Sequence, residues 1–180
     1  FWFILKWYWF EAKVYAINKG IVLSEKFHKR LTVEQVEEGN SLSPKFDSNG
    51  LIPCVTTDIK THEVLMVGYM NDEALTKTIE NGEAYYFSRS RQMVWHKGET
   101  SGLIQTVREI RIDDDQDSIW LSVEVGGSGA SCHVGYKSCF YRSIPIKNKI
   151  SKNLELKWEE DKKLFDPLEV YGDTPNPTKL

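Results

Sequence analysis

This 180-residue sequence is poor in cysteine, in long apolar runs and in net charge. Its three cysteines cannot all pair with one another and show no regular disulfide spacing, so we expect a reducing, cytoplasmic setting. No apolar run reaches the roughly 20 residues that a transmembrane helix needs, and no secretory leader is expected. The net charge of -3 gives no general electrostatic reason to bind nucleic acid or an anionic membrane. We therefore expect a soluble globular protein with neither a nucleic-acid nor a membrane partner.

The composition changes along the chain and divides it into three parts. Residues 1–49 begin with seven aromatic residues among the first ten, which form either an extension without function or an interface patch. Within this part Thr32 and Gln35 match a capping box and predict one short helix. Residues 50–146 have the patterning of one compact domain. Residues 147–180 form a polar tail that ends in disorder, although three aromatic residues can dock part of it: Trp158, Phe165 and Tyr171.

The patterning within residues 50–146 predicts more strand than helix. Apolar stretches at 51–58 and 64–70 predict a hairpin. A helix begins at Asn71 or Asp72 and stops at Asn81-Gly82. Further strands are predicted at 84–87, 104–112 and 119–125. The predicted fold class is α+β, a small β-rich domain with few short helices.

An acidic run lies between the last two predicted strands and carries four carboxylates in five positions. If the chain stays extended, Asp113, Asp115 and Asp117 project to one face and Asp114 to the other, because side chains alternate along a strand. Carboxylate oxygens suit Mg²⁺, Ca²⁺ or Mn²⁺. An EF-hand is disfavoured, because Ser118 replaces the glycine of the sixth position and the flanks are strands. A solvated acidic turn without metal is the other interpretation.

Two of the three cysteines follow the acidic run in the sequence SCHVGYKSC. Cys132 and Cys139 are too widely spaced for a zinc-finger knuckle, and two thiolates do not complete a structural four-ligand site. An open site is left, in which two cysteines and one further ligand leave zinc a position for water, as in catalytic zinc sites. Cys54 lies within an apolar strand and is interpreted as a buried structural cysteine.

Basic and hydroxyl side chains are concentrated in residues 88–102, SRSRQMVWHKGETSG, which we call the basic tract. Guanidinium, ammonium and hydroxyl groups beside glycine are the parts used to hold phosphate. A solvated basic loop is the alternative, and composition alone does not decide between the two. The candidates in this tract are Arg89, Arg91, Lys97, Thr100 and Ser101.

Together these motifs resemble the phosphoribosyl-AMP cyclohydrolases of histidine biosynthesis. The resemblance covers roughly residues 51–144 and rests on LIPCVTTD, VLMVGYMNDEAL, YYFSRSRQMVWHKGETSG, the aspartate run and SCHVGYKSCFYR in the family's order. It implies a small β-rich α+β domain that forms an intertwined homodimer, with metal ligands contributed across the interface. About 30 residues follow, too few for a fused second domain, so the single-function form is expected.

The resemblance implies Mg²⁺ and Zn²⁺ as cofactors and assigns their ligands by position. The three magnesium carboxylates and two of the zinc cysteines are present: Asp113, Asp115, Asp117, Cys132 and Cys139. The family's third zinc cysteine falls on Asp114, which is a departure. Carboxylate is a zinc ligand and carries the same charge as the thiolate it replaces, so we expect zinc to be retained with weaker affinity.

The implied reaction is that of a cyclic amidine hydrolase, which opens the adenine ring of 1-(5-phosphoribosyl)-AMP between N1 and C6. His133 is the candidate proton carrier because imidazole titrates in the useful range, and a structural histidine is the alternative. Trp95 either stacks on a base or belongs to the core. The substrate's two phosphate ends predict cationic ligands, with Mg²⁺ as an orienting charge: Arg89, Arg91, Lys97 and Arg142, with the hydroxyls of Thr100 and Ser101.

A competing hypothesis is a non-catalytic metal-binding or interaction module derived from that family. Asp114 favours it, since a zinc ligand has been replaced. The other ligands and the basic tract count against it, because drift would be expected to damage more than one position.

Overall fold

The computed structural model describes residues 26–173 of the chain. The aromatic residues at the N-terminus and the last seven residues lie outside this part, so their predicted roles stay predictions. The strands are β1 Ile52–Asp58, β2 Val64–Met70, β3 Tyr85–Ser88, β4 Met93–His96, β5 Gln105–Ile112, β6 Ile119–Val125, β7 Arg142–Ser143 and β8 Lys157–Trp158. The helices are α1 Val33–Glu37, α2 Asp72–Asn81 and α3 Pro167–Tyr171. The predicted class, a small mixed α+β domain with few short helices, is confirmed.

A four-stranded sheet with the order β2-β1-β6-β5 forms the centre of the molecule. The predicted hairpin of β1 and β2 is antiparallel, and β5 and β6 form a second antiparallel pair. The two pairs join through parallel pairing of β1 with β6, in which Cys54 lies opposite Ile119. This arrangement places the connection between β5 and β6, which contains the acidic run, at one end of the sheet.

The hydrophobic core lies against this sheet, with α2 packed over it. Asn71 caps α2 by accepting a hydrogen bond from the N–H of Ala74, and Gly82 ends it in the left-handed conformation, with φ of 67°. Cys54 is fully buried, and burial raises its pKa to about 12, in agreement with a structural role. No helix among residues 26–173 is long and apolar enough to cross a membrane.

A smaller sheet of β3 and β4 lies beside the first, and its second strand was not predicted. Tyr86 of β3 is buried against Gly68 of β2, where an added Cβ would lie 2.7 Å from the tyrosine ring. The sequence 88–92 makes a tight turn between the strands, in which Gln92 has a positive φ of 54°. The basic tract therefore contains a strand, β4, and is not one continuous loop.

Part of the polar segment after residue 146 docks on the domain through the aromatic residue Trp158. β8 pairs with β7, and Trp158 packs against Tyr136 and Tyr141, whose rings stack with centroids 4.1 Å apart. The N–H of Leu164 donates to the carbonyl of Gly135 at 2.7 Å. The C-terminal segment thus covers the chain that joins the two cysteines.

Candidate active site

The acidic run forms a turn, residues 113–118, which we call the acidic turn. The backbone N–H of Asp113 donates to the carbonyl of Ser118 at 3.2 Å, and Gln116 takes a left-handed φ of 57°. The expectation of an extended chain with alternating faces is therefore wrong in its geometry. The turn nevertheless brings together the three aspartates that were assigned to one face.

Asp113 organises this turn through its carboxylate. Its Oδ1 accepts from the N–H groups of Asp117 and Ser118 at 2.8 and 2.9 Å, and its Oδ2 accepts from the Ser118 hydroxyl. Burial acts to raise the pKa of Asp113, but the hydrogen bonds from Ser118 and Asp117 outweigh it and lower the pKa. Asp113 is thus held as a carboxylate at neutral pH.

The ligand oxygens of Asp113, Asp115 and Asp117 all lie within 4.8 Å of one another. Lys45 neutralises part of this charge, with its Nζ 2.9 Å from Asp115 Oδ2 and 3.1 Å from Asp117 Oδ2. Three converging carboxylate oxygens are the donors that Mg²⁺ accepts, so the acidic turn fits the implied ion in donor type.

The buried side chain of Gln116 ties the acidic turn to the segment before β1. Its Oε1 accepts from the N–H of Ser43 at 2.7 Å, and its Nε2 donates to the carbonyls of Val36 and Ser41. Arg30 adds a hydrogen bond of 2.8 Å to the carbonyl of Asp115. Residues before position 50 therefore help to shape the candidate magnesium site.

The second candidate group lies in residues 131–139, which we call the cysteine loop. The N–H of Ser131 donates to Lys137 O at 2.9 Å, and the N–H of Cys132 donates to Tyr136 O at 3.1 Å. These bonds fold the loop back on itself and bring Cys132 and Cys139 within hydrogen-bonding reach of each other. Two adjacent sulfur donors from one chain fit zinc in donor type.

The contact between the two cysteines shifts their pKa values in opposite directions. The hydrogen bond from Cys139 lowers the pKa of Cys132, and burial opposes this shift. The same contact with Cys132, together with burial, raises the pKa of Cys139. The first proton therefore leaves the pair more easily than the second.

Glu160, from the C-terminal segment, holds the cysteine loop from outside. Its carboxylate accepts from two successive N–H groups, those of Lys137 at 2.8 Å and Ser138 at 2.9 Å. The N–H of Cys139 donates to Leu65 O of β2 at 2.8 Å. The loop is thus fixed both to the central sheet and to the tail.

Asp114 and His133 occupy different surroundings. Asp114 is exposed on the acidic turn, and within residues 26–173 no group of three ligand atoms joins it to both cysteines. His133 is half-buried and follows Cys132 directly in the cysteine loop. The assignments of Asp114 as a zinc ligand and of His133 as a proton carrier stay predictions.

The basic tract presents some of its predicted phosphate ligands to solvent and turns others inward. Arg89 and Arg91 lie exposed in the β3–β4 turn, with Arg89 over the Tyr69 ring at 4.0 Å and Arg91 over the Trp95 ring at 5.6 Å. Trp95 is partly buried and packs at the edge of the core against Tyr86, and its stacking on a base stays a prediction. Thr100 is exposed, Ser101 is half-buried and Arg142 is exposed in β7. Lys97 is buried.

Known proteins similar to this chain point to a single family. A sequence model of the phosphoribosyl-AMP cyclohydrolase family matches residues 66–141. A protein of that name from Rhodopseudomonas palustris (strain BisB18) is 55% identical over 140 residues, 77% of this chain and 92% of the relative. Proteins of the same name from Bradyrhizobium diazoefficiens and Agrobacterium fabrum are 53% and 48% identical, over 76% and 78% of this chain and 94% and 92% of theirs. The chain belongs to the phosphoribosyl-AMP cyclohydrolase family.

Several supporting side chains of this cyclohydrolase family member were missed by sequence reasoning. Lys45 and Glu160 lie outside residues 66–141 and had no motif to mark them. Gln116 and Gln105 are buried amides, although polar side chains are mostly exposed. A buried amide requires a hydrogen-bond partner, but the sequence pattern did not mark either side chain as inward-facing.

A cavity of about 280 Å³ lies elsewhere, between the β1–β2 turn and the connection after β6. Its lining includes Asp58, Lys60, Glu124 and Lys137, but none of the residues predicted to bind metal or substrate. In its lining, Lys60 pairs with Glu124, and Lys137 pairs with Glu63. None of the predicted site residues therefore depends on this cavity.

Proposed function

We propose that this protein is a phosphoribosyl-AMP cyclohydrolase, which hydrolyses the N1–C6 bond of the adenine ring of 1-(5-phosphoribosyl)-AMP in histidine biosynthesis. One observation carries the proposal: relatives bearing that name are about half identical to this chain and are covered over more than nine-tenths of their lengths. The converging carboxylates and the paired cysteines give this chain the two donor sets that such a hydrolase needs.

The proposal assigns zinc to the cysteine loop and magnesium to the acidic turn. Sulfur donors of Cys132 and Cys139 suit zinc, and the oxygens of the acidic turn suit a hard cation. Within the described residues of one chain, Asp114 forms no group of three metal-ligand atoms with the two cysteines. We therefore propose that Asp114 of a second copy completes the zinc site. The active form is then a homodimer whose sites lie between the two chains.

The chain's own residues bind the substrate and move the proton. When bound, zinc supplies a Lewis acid that activates water at neutral pH. Water adds to C6, the bond from C6 to N1 breaks, and C6 becomes the carbon of a carboxamide while N1 gains a proton. His133 takes the proton from the attacking water and returns it to N1, since imidazole titrates near neutral pH.

Exposed cations hold the two phosphate ends of the substrate. Arg89 and Arg91 extend from the β3–β4 turn, and Arg142 lies on β7, with rings of Tyr141 and Trp158 beneath its guanidinium. Guanidinium groups bind phosphate oxygens in pairs, and Thr100 and Ser101 add hydroxyl donors. Magnesium on the acidic turn orients the substrate by its charge.

The non-catalytic module remains the second candidate, because Asp114 replaces a thiolate. A carboxylate is a harder and weaker zinc donor than a thiolate, and it lies exposed here. A family member that no longer held zinc would keep the fold and lose the reaction.

The two candidates are separated by metal analysis of the pure protein followed by an assay for ring opening. We expect zinc in the protein, an absorbance change on adding phosphoribosyl-AMP with Mg²⁺, and a product heavier by one water. A chelator abolishes turnover and added zinc restores it. Cys132→Ser serves as the control without one zinc ligand. A fully zinc-loaded dimer that leaves the substrate unchanged with Mg²⁺ present would favour the module and overturn the proposed function.

A further inference from the structure

Ser131, which precedes Cys132, is fixed at each of its polar groups. Its N–H donates to Lys137 O at 2.9 Å. Its carbonyl oxygen accepts from Lys97 Nζ at 2.7 Å, and its hydroxyl accepts from Gln105 Nε2 at 2.9 Å. Ser131 itself is 2% exposed, so these contacts are shielded from water. The segment that carries Cys132 is therefore held by side chains from outside the cysteine loop.

Lys97 is an unusual member of this group, since lysine side chains are seldom buried. It is 5% exposed, and its Nζ lies in the interior, within hydrogen-bonding distance of the Ser131 carbonyl. Gly98, which follows it, has a φ of 92°, and a Cβ there would lie 2.2 Å from the carbonyl carbon of Leu103. This close backbone approach accounts for the glycine and fixes the direction of the chain after Lys97.

The Gln105 contact continues into the core as a chain of buried hydrogen bonds. Gln105 Oε1 accepts from the Tyr86 hydroxyl at 2.8 Å, and the Tyr86 oxygen lies 2.7 Å from Thr56 Oγ1. Thr56 belongs to β1, Tyr86 to β3 and Gln105 to β5. Hydrogen bonds thus connect Ser131 to three strands. A buried network in which every polar group has a partner is rigid, so it holds Ser131 in place.

The charge surrounding Lys97 is that of the cysteine pair. Burial lowers the pKa of Lys97, whereas the negative charges of Cys139 and Cys132 act to raise it. Both sulfur atoms are thus close enough to Lys97 to interact with it electrostatically. An amino group so placed is directed at the backbone of the cysteine loop and is not free to bind a phosphate in solvent.

We propose that Lys97 is a positioning residue for the cysteine pair and not a phosphate ligand. Its hydrogen bond to the Ser131 carbonyl, with that of Gln105 to the Ser131 hydroxyl, sets the orientation in which Cys132 meets Cys139. The inference rests on the proposed function in one respect, that the two cysteines hold zinc. Outer contacts that orient metal ligands are typically worth about 10- to 100-fold in metal affinity or activity.

Lys97→Met tests this assignment, because methionine is also unbranched and apolar but donates no hydrogen bond. We expect zinc affinity, measured by competition with a chromogenic chelator, to fall by about tenfold or more. With zinc restored to saturation, kcat falls while KM for phosphoribosyl-AMP changes by less than about twofold. Lys97→Arg keeps a donor and recovers part of the zinc affinity. Lys77→Met, which removes a half-exposed lysine paired with Glu73 on α2, is the matched control and leaves both unchanged.

A phosphate role for Lys97 gives the opposite pattern, a raised KM with unchanged zinc affinity, and that result would overturn the inference. If Lys97→Met does not fold, Ser131→Ala is measured instead. It removes only the hydroxyl that Gln105 contacts, and it should still weaken zinc binding. Unchanged zinc affinity in a folded Ser131→Ala would equally count against the network. If the wild type itself binds no zinc, the proposed function fails first, and the two failures are distinguishable.

Discussion

Single residues decide how each candidate metal group is charged and oriented. In the acidic turn, the carboxylates of Asp115 and Asp117 contact Lys45, while Asp113 is engaged by the turn's own N–H groups. The Lys45 pairs are largely exposed and are screened by water, so a divalent ion can displace the lysine. Asp114 is the one residue of the turn whose side chain is assigned to the other metal.

Asp114→Cys restores the family's three-thiolate set and tests the role of this position. We expect zinc affinity to increase by roughly tenfold, because thiolate is a softer and stronger donor for zinc than carboxylate. The measurement is chelator competition on the zinc-free protein, with Asp161→Cys, an exposed position in the C-terminal segment, as the control for an added thiol. Tighter binding by the wild type than by Asp114→Cys would contradict the assignment.

Among the helices and strands, those that depend on interactions between residues close in sequence were predicted correctly. The hairpin of β1 and β2, the limits of α2 and strand β6 all followed from alternation and capping residues. Strand β4 was missed because its basic and aromatic residues suggested a binding loop, and its pairing with β3 depends on burial of Tyr86 and Trp95. For the acidic run, an extended chain and a turn were both open interpretations, and the structure has the turn, which Asp113 forms with partners four and five residues away.

The same limit applies to the candidate site. The candidate ligands could be named from motifs, since they are close in sequence. The residues that orient them could not, because Gln105 reaches Ser131 across 26 positions and Glu160 reaches Lys137 across 23. Such contacts depend on the packing of whole elements, which hydrophobic periodicity does not specify.

The β1–β2 turn offers a test of stability that is independent of metal. Asp58 Oδ1 accepts from the N–H groups of Lys60 and Thr61 and from the Thr61 hydroxyl. Burial acts to raise the pKa of Asp58, but the hydrogen bonds of Thr61 and Lys60 outweigh it, so the folded-state pKa is lowered. Its contribution to folding is therefore present above the unfolded pKa of about 3.9 and is lost as pH falls through the lower folded value.

We expect Asp58→Ala to lower the free energy of unfolding by about 1 kcal/mol at pH 7, the net value of a typical hydrogen bond to a turn. The difference from the wild type should shrink as the pH falls below about 4, because the carboxylate is then protonated first in the unfolded chain and at lower pH in the folded protein. Urea unfolding of the metal-free proteins at each pH gives both values, and Asp161→Ala is the matched control. A difference that stays constant across this range would show that the carboxylate charge plays no part.

The whole molecule must contain more than one copy of the chain if the proposed zinc site is to be completed. One chain brings its two cysteines together but leaves Asp114 on a separate turn, at least within the described residues. A twofold dimer in which each acidic turn faces the partner's cysteine loop satisfies both observations with two equivalent sites. The proposed zinc site therefore depends on the proposed homodimer, since a site shared by two chains is incomplete in a monomer.

Mixing two inactive variants tests this shared zinc site most directly. Asp114→Ala leaves the cysteines intact, and Cys132→Ala leaves Asp114 intact, so neither homodimer has a complete site. A dimer containing one chain of each, formed by co-expression or joint refolding, has one complete site and one that lacks both groups. With random pairing we predict about a quarter of the wild-type ring-opening rate per chain in the mixture. A mixture no faster than its separate variants, or full activity in Asp114→Ala alone, would contradict the account.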